Sequence, residues 1–197
     1  MGVSSAIALA GIGFAADLSA RVGTLAQPEV RRIASLLARA GLPAGANGLP
    51  PWLPFFDLLS RHFEVWVPEH PGFGTSDNPP WIRNIGDLAM YYLDFLDGLG
   101  LPKVHLAGIS LGGMTAATLA TRNCTQLSSL TLLCPAGLRV KGVPQGDMFV
   151  WTPEESMRNL IFNQKIAEDR LRQNVSPEDE ERALKNRFMA TKLGWEP

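Results

Sequence analysis

The sequence predicts an α/β fold, in which a mostly parallel β-sheet has helices on both of its faces. Two observations lead to this prediction. Short apolar and β-branched runs alternate with stretches of helical spacing between residues 51 and 135. The apolar runs are almost continuous, as in strands that are buried on both faces. Right-handed crossovers then bring each strand-to-helix turn to one edge of the sheet, where such sheets bind ligands.

The predicted elements follow one another in a regular order. Pro68 closes the first strand, and Gly100 with Pro102 ends the long helix that places Leu88 and Tyr92 on one face. The elements are a helix in "PWLPFFDLLSRHF" (51–63), a strand in "FEVWVP" (63–68), a helix in "IGDLAMYYLDFLDGLG" (85–100), a strand in "KVHLAGI" (103–109), a helix in "LGGMTAATLATRN" (111–123) and a strand in "LSSLTLLC" (127–134).

Beyond residue 140 two helical stretches follow each other with no strand predicted between them. One is "GVPQGDMFVWTPEESMRNLIF", which has Thr152 before Pro153 as a capping signature, and the other is "SPEDEERALKNRFMATKLGW", which has Ser176 before Pro177. Successive helices after a strand predict a helical cap that is inserted into the α/β core.

Three segments therefore divide the chain. Residues 42–140 form part of an α/β core, and residues 141–197 form the start of the cap. Residues 1–41 are an atypical N-terminal segment, rich in Ala, Gly and Leu, with a short amphipathic helix in "PEVRRIASLLARAG". The opening "SSAIALAGIGFAA" is apolar, but it is too short to span a bilayer and no basic region precedes it.

The composition is that of a globular protein without a strongly charged partner. The 197 residues carry a net charge of −1, so there is no basic excess to meet nucleic acid or an anionic membrane. Cys124 and Cys134 have neither the spacing of a disulfide framework nor that of a metal site. We expect free thiols, a cytoplasmic location, no metal, no cofactor, and no nucleic-acid or membrane partner.

The stretch "GISLGG" (108–113) places Ser110 on a turn between a predicted strand and a predicted helix. It matches G-x-S-x-G, in which glycines let strand and helix approach each other around a strained nucleophile. The helix would begin beneath Ser110, where its amides and dipole favour negative charge. The N–H of Leu111 is then placed to donate to an oxyanion. This pattern is typical of nucleophilic catalysis by serine.

With this motif the chain resembles the α/β-hydrolases. The stretches that carry the resemblance are "PEHPGFGTSD", "GLPKVHLAGISLGG" and "LSSLTLLCPAGLRVKGVP", and it covers about residues 42–197. Within that superfamily the chain is most similar to capped esterases and to carbon–carbon bond hydrolases with a serine nucleophile. The resemblance implies an acyl-enzyme on Ser110, formed from a small-molecule carboxylic ester or from a carbon–carbon bond beside a carbonyl. Alignment of "LPAGANGLPPW" with the family's oxyanion loop makes the N–H of Ala46 the second donor.

The chain departs from the family in its acid and its base. The family order is Ser, then Asp or Glu, then His, but His62, His70 and His105 all precede Ser110. We interpret His70 as a loop residue rather than a substitute base, His105 as a residue facing the core or a helix, and His62 as a surface residue. The chain looks C-terminally truncated, and no strand is predicted ahead of "LPAGANGLPPW".

Several further residues have two open interpretations. Phe149 and Trp151 would line an apolar acyl pocket or pack the cap helices together. Arg187 would bind a substrate carboxylate, as the resemblance implies, or lie on a helix surface. Asp77 would contact substrate or cap its own loop.

Two other hypotheses for function stay open. The first is a catalytically inactive fragment that lacks the acid and the His of the triad. The second is a ligand-binding relative without enzymatic activity. The sequence makes no prediction of the oligomeric state.

Overall fold

The computed structural model describes residues 4–9, 54–139, 141–142, 146–172 and 176–194. Strands and helices alternate in its first part, and helices alone follow. The elements are β1 (Ser4–Leu9), α1 (Pro54–Ser60), β2 (Phe63–Trp66), α2 (Ile85–Leu99), β3 (Val104–Ile109), α3 (Leu111–Arg122), β4 (Leu127–Leu133), α4 (Pro153–Leu160), α5 (Gln164–Leu171) and α6 (Pro177–Gly194).

The four strands form one sheet in the order β2-β1-β3-β4, and every neighbouring pair is parallel. This confirms the predicted parallel α/β fold. Helix α3 packs on β3, β4 and β1, and it also packs on α2. Residues Val104 and Leu106 of β3 are buried, whereas His105 and Ala107, which alternate with them, are only half-buried. The alternation shows that the two faces of the sheet are not covered equally among these strands.

A strand that the sequence did not predict lies at the centre of this sheet. Strand β1 pairs with β2 from Ser4↔Phe63 onward and with β3 as far as Leu9↔Gly108. The side chains of Ile7 and Leu9 are buried. The expectation that no strand precedes the oxyanion loop was therefore wrong. "SSAIAL" is poor in β-branched residues, and pairing on both sides outweighs its weak intrinsic preference.

Helix α2 begins and ends as its sequence predicts. The side chain of Asn84 accepts a hydrogen bond from the N–H of Asp87 at 2.9 Å, which caps the first turn. Gly100 has φ of 63° at the other end, a conformation that glycine adopts without strain. Between these caps one face is buried in the core, and it comprises Ile85, Leu88, Ala89, Tyr92 and Leu96.

The described residues divide into two compact units, one made of the residues up to Gly137 together with Lys185–Gly194, and the other of Leu138–Leu184. The second unit holds α4, α5 and the first part of α6. The predicted N-terminal capping of helix α4 by Thr152 is present, because Thr152 Oγ1 accepts from the N–H of Glu155 at 3.2 Å. Helix α5 was not predicted. The predicted boundaries at residues 41 and 140 stay predictions.

None of the described helices combines the length and the apolar character that crossing a membrane requires.

The buried position of β1 makes a direct prediction. Ile7→Ala should lower the free energy of unfolding by about 2–5 kcal/mol, because it removes a buried aliphatic side chain from a central strand. Ser4→Ala, at the exposed start of the same strand, should change it by less than about 0.5 kcal/mol. Urea denaturation followed by circular dichroism measures both. Equal stability of the two variants would contradict a central position for residues 4–9.

Candidate active site

Ser110 lies at the carboxyl end of β3 and occupies the N-cap position of α3. Its φ of 53° and ψ of −119° are unusual for a residue with a side chain. Three hydrogen bonds fix this backbone. The N–H of Ser110 donates to the carbonyl of Leu133 at 3.1 Å, and its own carbonyl accepts from Met114 and Ala136, each at 3.0 Å. The end of β4 and the residues after it therefore hold the turn from one side, and helix α3 holds it from the other.

Three glycines allow other backbone segments to approach this turn closely. A methyl group on Gly108 would overlap the carbonyl of Gly112. One on Gly112 would overlap the carbonyl of Leu9, and one on Gly113 would lie 2.9 Å from the Cα atom of Pro135. Gly108 thus lets β3 approach its own helix, as the sequence predicts. Gly112 has a different neighbour, since it makes room for the end of β1.

Of the two predicted oxyanion donors, the structure describes Leu111 but not Ala46. Leu111 is the first residue of α3 and is buried, so its N–H belongs to the amides that a helix leaves without an intrahelical partner. The helix dipole adds partial positive charge at this position. Ala46 lies outside the described residues, and its role stays a prediction.

The loop "HPGFGTSD" (70–77) follows β2, at the same edge of the parallel sheet at which Ser110 follows β3. The Glu69 carboxylate caps it, because Oε2 accepts from the N–H of Thr75 at 3.1 Å and from the hydroxyl of Ser76 at 3.2 Å. Burial raises the pKa of Glu69, and the hydrogen bonds from Thr75 and Ser76 oppose that rise. The capping carboxylate is thus Glu69, whereas Asp77 accepts from the N–H of Gly72 through its backbone carbonyl at 2.7 Å.

The second half of α6 belongs to the same compact unit as this loop and makes hydrogen bonds and packing contacts with it. Lys185 Nζ donates to the carbonyl of Gly74 at 2.7 Å, and the N–H of Gly74 donates to Asn186 Oδ1 at 2.8 Å. Met189 is buried against Gly72. Arg187 is exposed and lies on the same helical turn. The helix therefore places Arg187 next to residues that are bonded to the loop at the carboxyl edge of the sheet.

Two of the three histidines take part in structural hydrogen bonds. His70 is buried, and its Nδ1 lies 2.6 Å from the hydroxyl of Tyr92, whose pKa burial raises well above the usual range. His105 Nδ1 lies 2.8 Å from the hydroxyl of Ser129 on the neighbouring strand. His62 is exposed after α1. The hydrogen bond of His70 connects its loop to α2, and that of His105 connects β3 to β4.

Phe149 and Trp151 are half-buried in the second compact unit. The N–H of Phe149 donates to Asp147 Oδ1 at 3.0 Å, and the Trp151 ring lies against Gly146. Their role in binding substrate stays a prediction. In the described ranges, no three or more His, Cys, Asp or Glu side chains are grouped so that they would hold a metal ion.

Comparison with known proteins identifies a family and several relatives. The sequence model of the alpha/beta hydrolase fold matches residues 40–194. A monoacylglycerol lipase of Xenopus laevis is 36% identical over 90 residues, which are 44% of this chain and 27% of the lipase. A 2-hydroxy-6-oxo-2,4-heptadienoate hydrolase of Pseudomonas putida is 27% identical over 168 residues, which are 79% of this chain and 59% of that enzyme.

A solved structure shares the fold. It is a 2-hydroxy-6-oxo-6-phenylhexa-2,4-dienoate hydrolase from a Rhodococcus strain, with 22% sequence identity and a TM-score of 0.52 over 98% of this chain and 66% of that one. The chain thus spans between 27% and 59% of the length of the two curated relatives.

The close approach of Gly112 to β1 makes a second prediction. Gly112→Ala should lower the free energy of unfolding by about 1–3 kcal/mol or more, because backbone must move to admit the methyl group. Gly98→Ala is the matched control, since nothing lies within 4 Å of a methyl group there. It should stabilise α2 by about 0.5–1 kcal/mol. Thermal unfolding of both variants checks the difference, and a Gly112→Ala variant as stable as the wild type would contradict the packing.

Proposed function

This chain belongs to the alpha/beta hydrolase fold family, and on that premise we propose that it is a serine hydrolase. Its substrate is a small acyl compound, either a carboxylic ester or a compound with a carbon–carbon bond beside a carbonyl. The observation that carries the proposal is the φ of 53° at Ser110, held at the carboxyl end of a parallel strand. A residue in so rare a conformation persists only where the surrounding structure demands it, which is typical of functional sites.

In the proposed reaction Ser110 Oγ attacks the carbonyl carbon of the substrate while a base takes the hydroxyl proton. The Leu111 N–H donates to the oxyanion of the tetrahedral intermediate, and the Ala46 N–H is proposed as the second donor. The leaving group departs with a proton, and the acyl group stays on Ser110 as an ester. Water then attacks that ester, which releases the carboxylic acid and restores the serine hydroxyl.

None of the three histidines is proposed as the base. The Nδ1 atoms of His70 and His105 lie within hydrogen-bond distance of Tyr92 and Ser129, and His62 is exposed. A second candidate function is that the chain carries the nucleophile and binds acyl ligands without turning them over. The two candidates share Ser110 and differ in the supply of a base.

The substrate class rests on three further residues that we propose as substrate-binding groups. Arg187 directly follows Lys185 and Asn186, which bond the 70–77 loop, and a guanidinium binds a carboxylate through two parallel hydrogen bonds. The Pseudomonas putida relative is a hydrolase of a dienoate, which is a carboxylate. Phe149 and Trp151 would supply apolar surface for the acyl chain. A cytoplasmic location and the lack of a cofactor also stay predictions.

Hydrolysis of an aryl ester such as p-nitrophenyl butyrate separates these candidates. If the chain is a serine hydrolase, Ser110→Ala should lower the rate of ester hydrolysis by at least about 10³-fold, because the nucleophile is lost. Ser60→Ala, which changes an exposed hydroxyl on α1, should leave the rate unchanged. The second candidate predicts a wild-type rate no higher than that of Ser110→Ala. Fast hydrolysis that survives Ser110→Ala would overturn the assignment of the nucleophile.

A further inference from the structure

Helix α6 contacts the loop after β2 with one face of its second half. This contact face consists of Lys185, Asn186, Met189 and Lys192, whose spacing places them on one side of a helix. Lys185 is also the first residue of α6 that belongs to the first compact unit. The chain therefore returns to this unit at the residue that bonds the loop.

Both backbone groups of Gly74 are bonded to the contact face. The Lys185 ammonium donates to the carbonyl of Gly74 at 2.7 Å and to that of Ser76 at 3.3 Å, and the N–H of Gly74 donates to Asn186 Oδ1 at 2.8 Å. The Glu69 carboxylate occupies the place that a methyl group on Gly74 would need. A hydrogen bond from an ammonium group is stronger than one between neutral groups. The contact face and Glu69 thus fix the middle of the loop together.

The remaining contacts lie on either side of Gly74. Met189 is buried, and its side chain lies so close to Gly72 that a methyl group there would overlap it. Lys192 Nζ donates to Asn78 Oδ1 at 3.2 Å, one residue past the end of the loop. The contact face therefore follows the loop along most of its length.

The backbone of the loop is hydrogen-bonded throughout its middle. Each of the five amides from Gly72 to Ser76 donates a hydrogen bond. Four of them donate to residues 69–77, whereas the N–H of Gly74 donates to Asn186. The loop closes mainly on itself, and Lys185 and Asn186 attach it to the helix.

The loop and Ser110 lie at the same edge of the sheet. The loop follows β2 and Ser110 follows β3, with β1 between these strands. Two strand spacings separate them, which is about 10 Å. Open parallel sheets bind their ligands at this edge. The start of the loop, residues 71–73, is apolar and buried, so it offers an apolar surface within reach of a long acyl group on Ser110.

We propose that Lys185 and Asn186 are positioning residues that hold the 70–77 loop as one wall of the acyl-binding site, and that they thereby set the affinity for long acyl groups. The inference rests on the proposed function, which supplies the acyl substrate. The reactivity of Ser110 itself does not depend on these residues, because its backbone is held by Leu133, Met114 and Ala136.

Hydrogen–deuterium exchange of the full chain tests whether the helix holds the loop. Lys185→Met should raise the exchange rates of the amides from Gly72 to Ser76 by at least about tenfold, because a charge-assisted hydrogen bond is lost. Lys185→Arg keeps a cationic donor and should restore most of the protection. Lys103→Met, which changes an exposed lysine directly before β3, is the matched control and should leave these rates unchanged. Unchanged exchange in α3 shows that each variant is folded.

The affinity for two neutral esters tests whether the loop contacts the acyl group. In a Ser110→Ala background, which prevents acylation of Ser110, Lys185→Met should raise the dissociation constant of p-nitrophenyl octanoate by at least about fivefold, because the wall has lost its fixed conformation. The dissociation constant of p-nitrophenyl acetate should stay within about twofold, since the acetyl group is too short to span the gap to the loop. Isothermal titration calorimetry measures both constants.

Three results would overturn the proposal. They are equal loop exchange in the wild type and in Lys185→Met, an equal change of affinity for the two esters, and no binding of the octanoyl ester to the Ser110→Ala chain. Asn186→Ala, which removes the acceptor of the Gly74 N–H, replaces Lys185→Met if the latter fails to fold. Failure of the proposed function is distinguishable, because it shows as a wild-type chain without ester hydrolysis, and neither measurement requires turnover.

Discussion

The close packing of backbone around residues 108–113 is the constraint on which the rest of the structure depends. The strain of Ser110, typically about 1–3 kcal/mol for such a conformation, is offset by hydrogen bonds with Leu133, Met114 and Ala136. Gly112 admits the end of β1 and Gly113 admits Pro135. Three strands therefore converge at one serine, and a side chain at any of these glycines would separate them.

A second network holds the other loop of the same sheet edge. The Glu69 carboxylate caps residues 75 and 76, while Lys185 and Asn186 bond the carbonyl and the N–H of Gly74. The carbonyl and the amide of one glycine are thus both fixed by a helix that lies more than a hundred residues further along the chain. The loop gains a defined conformation from these contacts, although Gly72 and Gly74 adopt positive φ angles.

The sequence predicted well those features that depend on local chemistry. The helix that begins at Ile85 and ends before Gly100 follows from residues within its own turns, and the G-x-S-x-G spacing places Ser110 without knowledge of other strands. Features set by distant contacts were missed. Residues 4–9 become a strand only because β2 and β3 flank them, and Gly112 meets Leu9 across about a hundred residues. The choice of Glu69 over Asp77 as the capping carboxylate likewise depends on the folded loop.

The most direct test of the account is the reaction of the chain with a fluorophosphonate, which forms a covalent bond with an activated serine. Intact-protein mass spectrometry and peptide mapping would locate the adduct. The account predicts a single adduct on Ser110 and none in the Ser110→Ala variant, because Ser110 lies on a strained turn at a helix N-terminus. An adduct that forms at another residue, or no adduct on the folded chain, would contradict it.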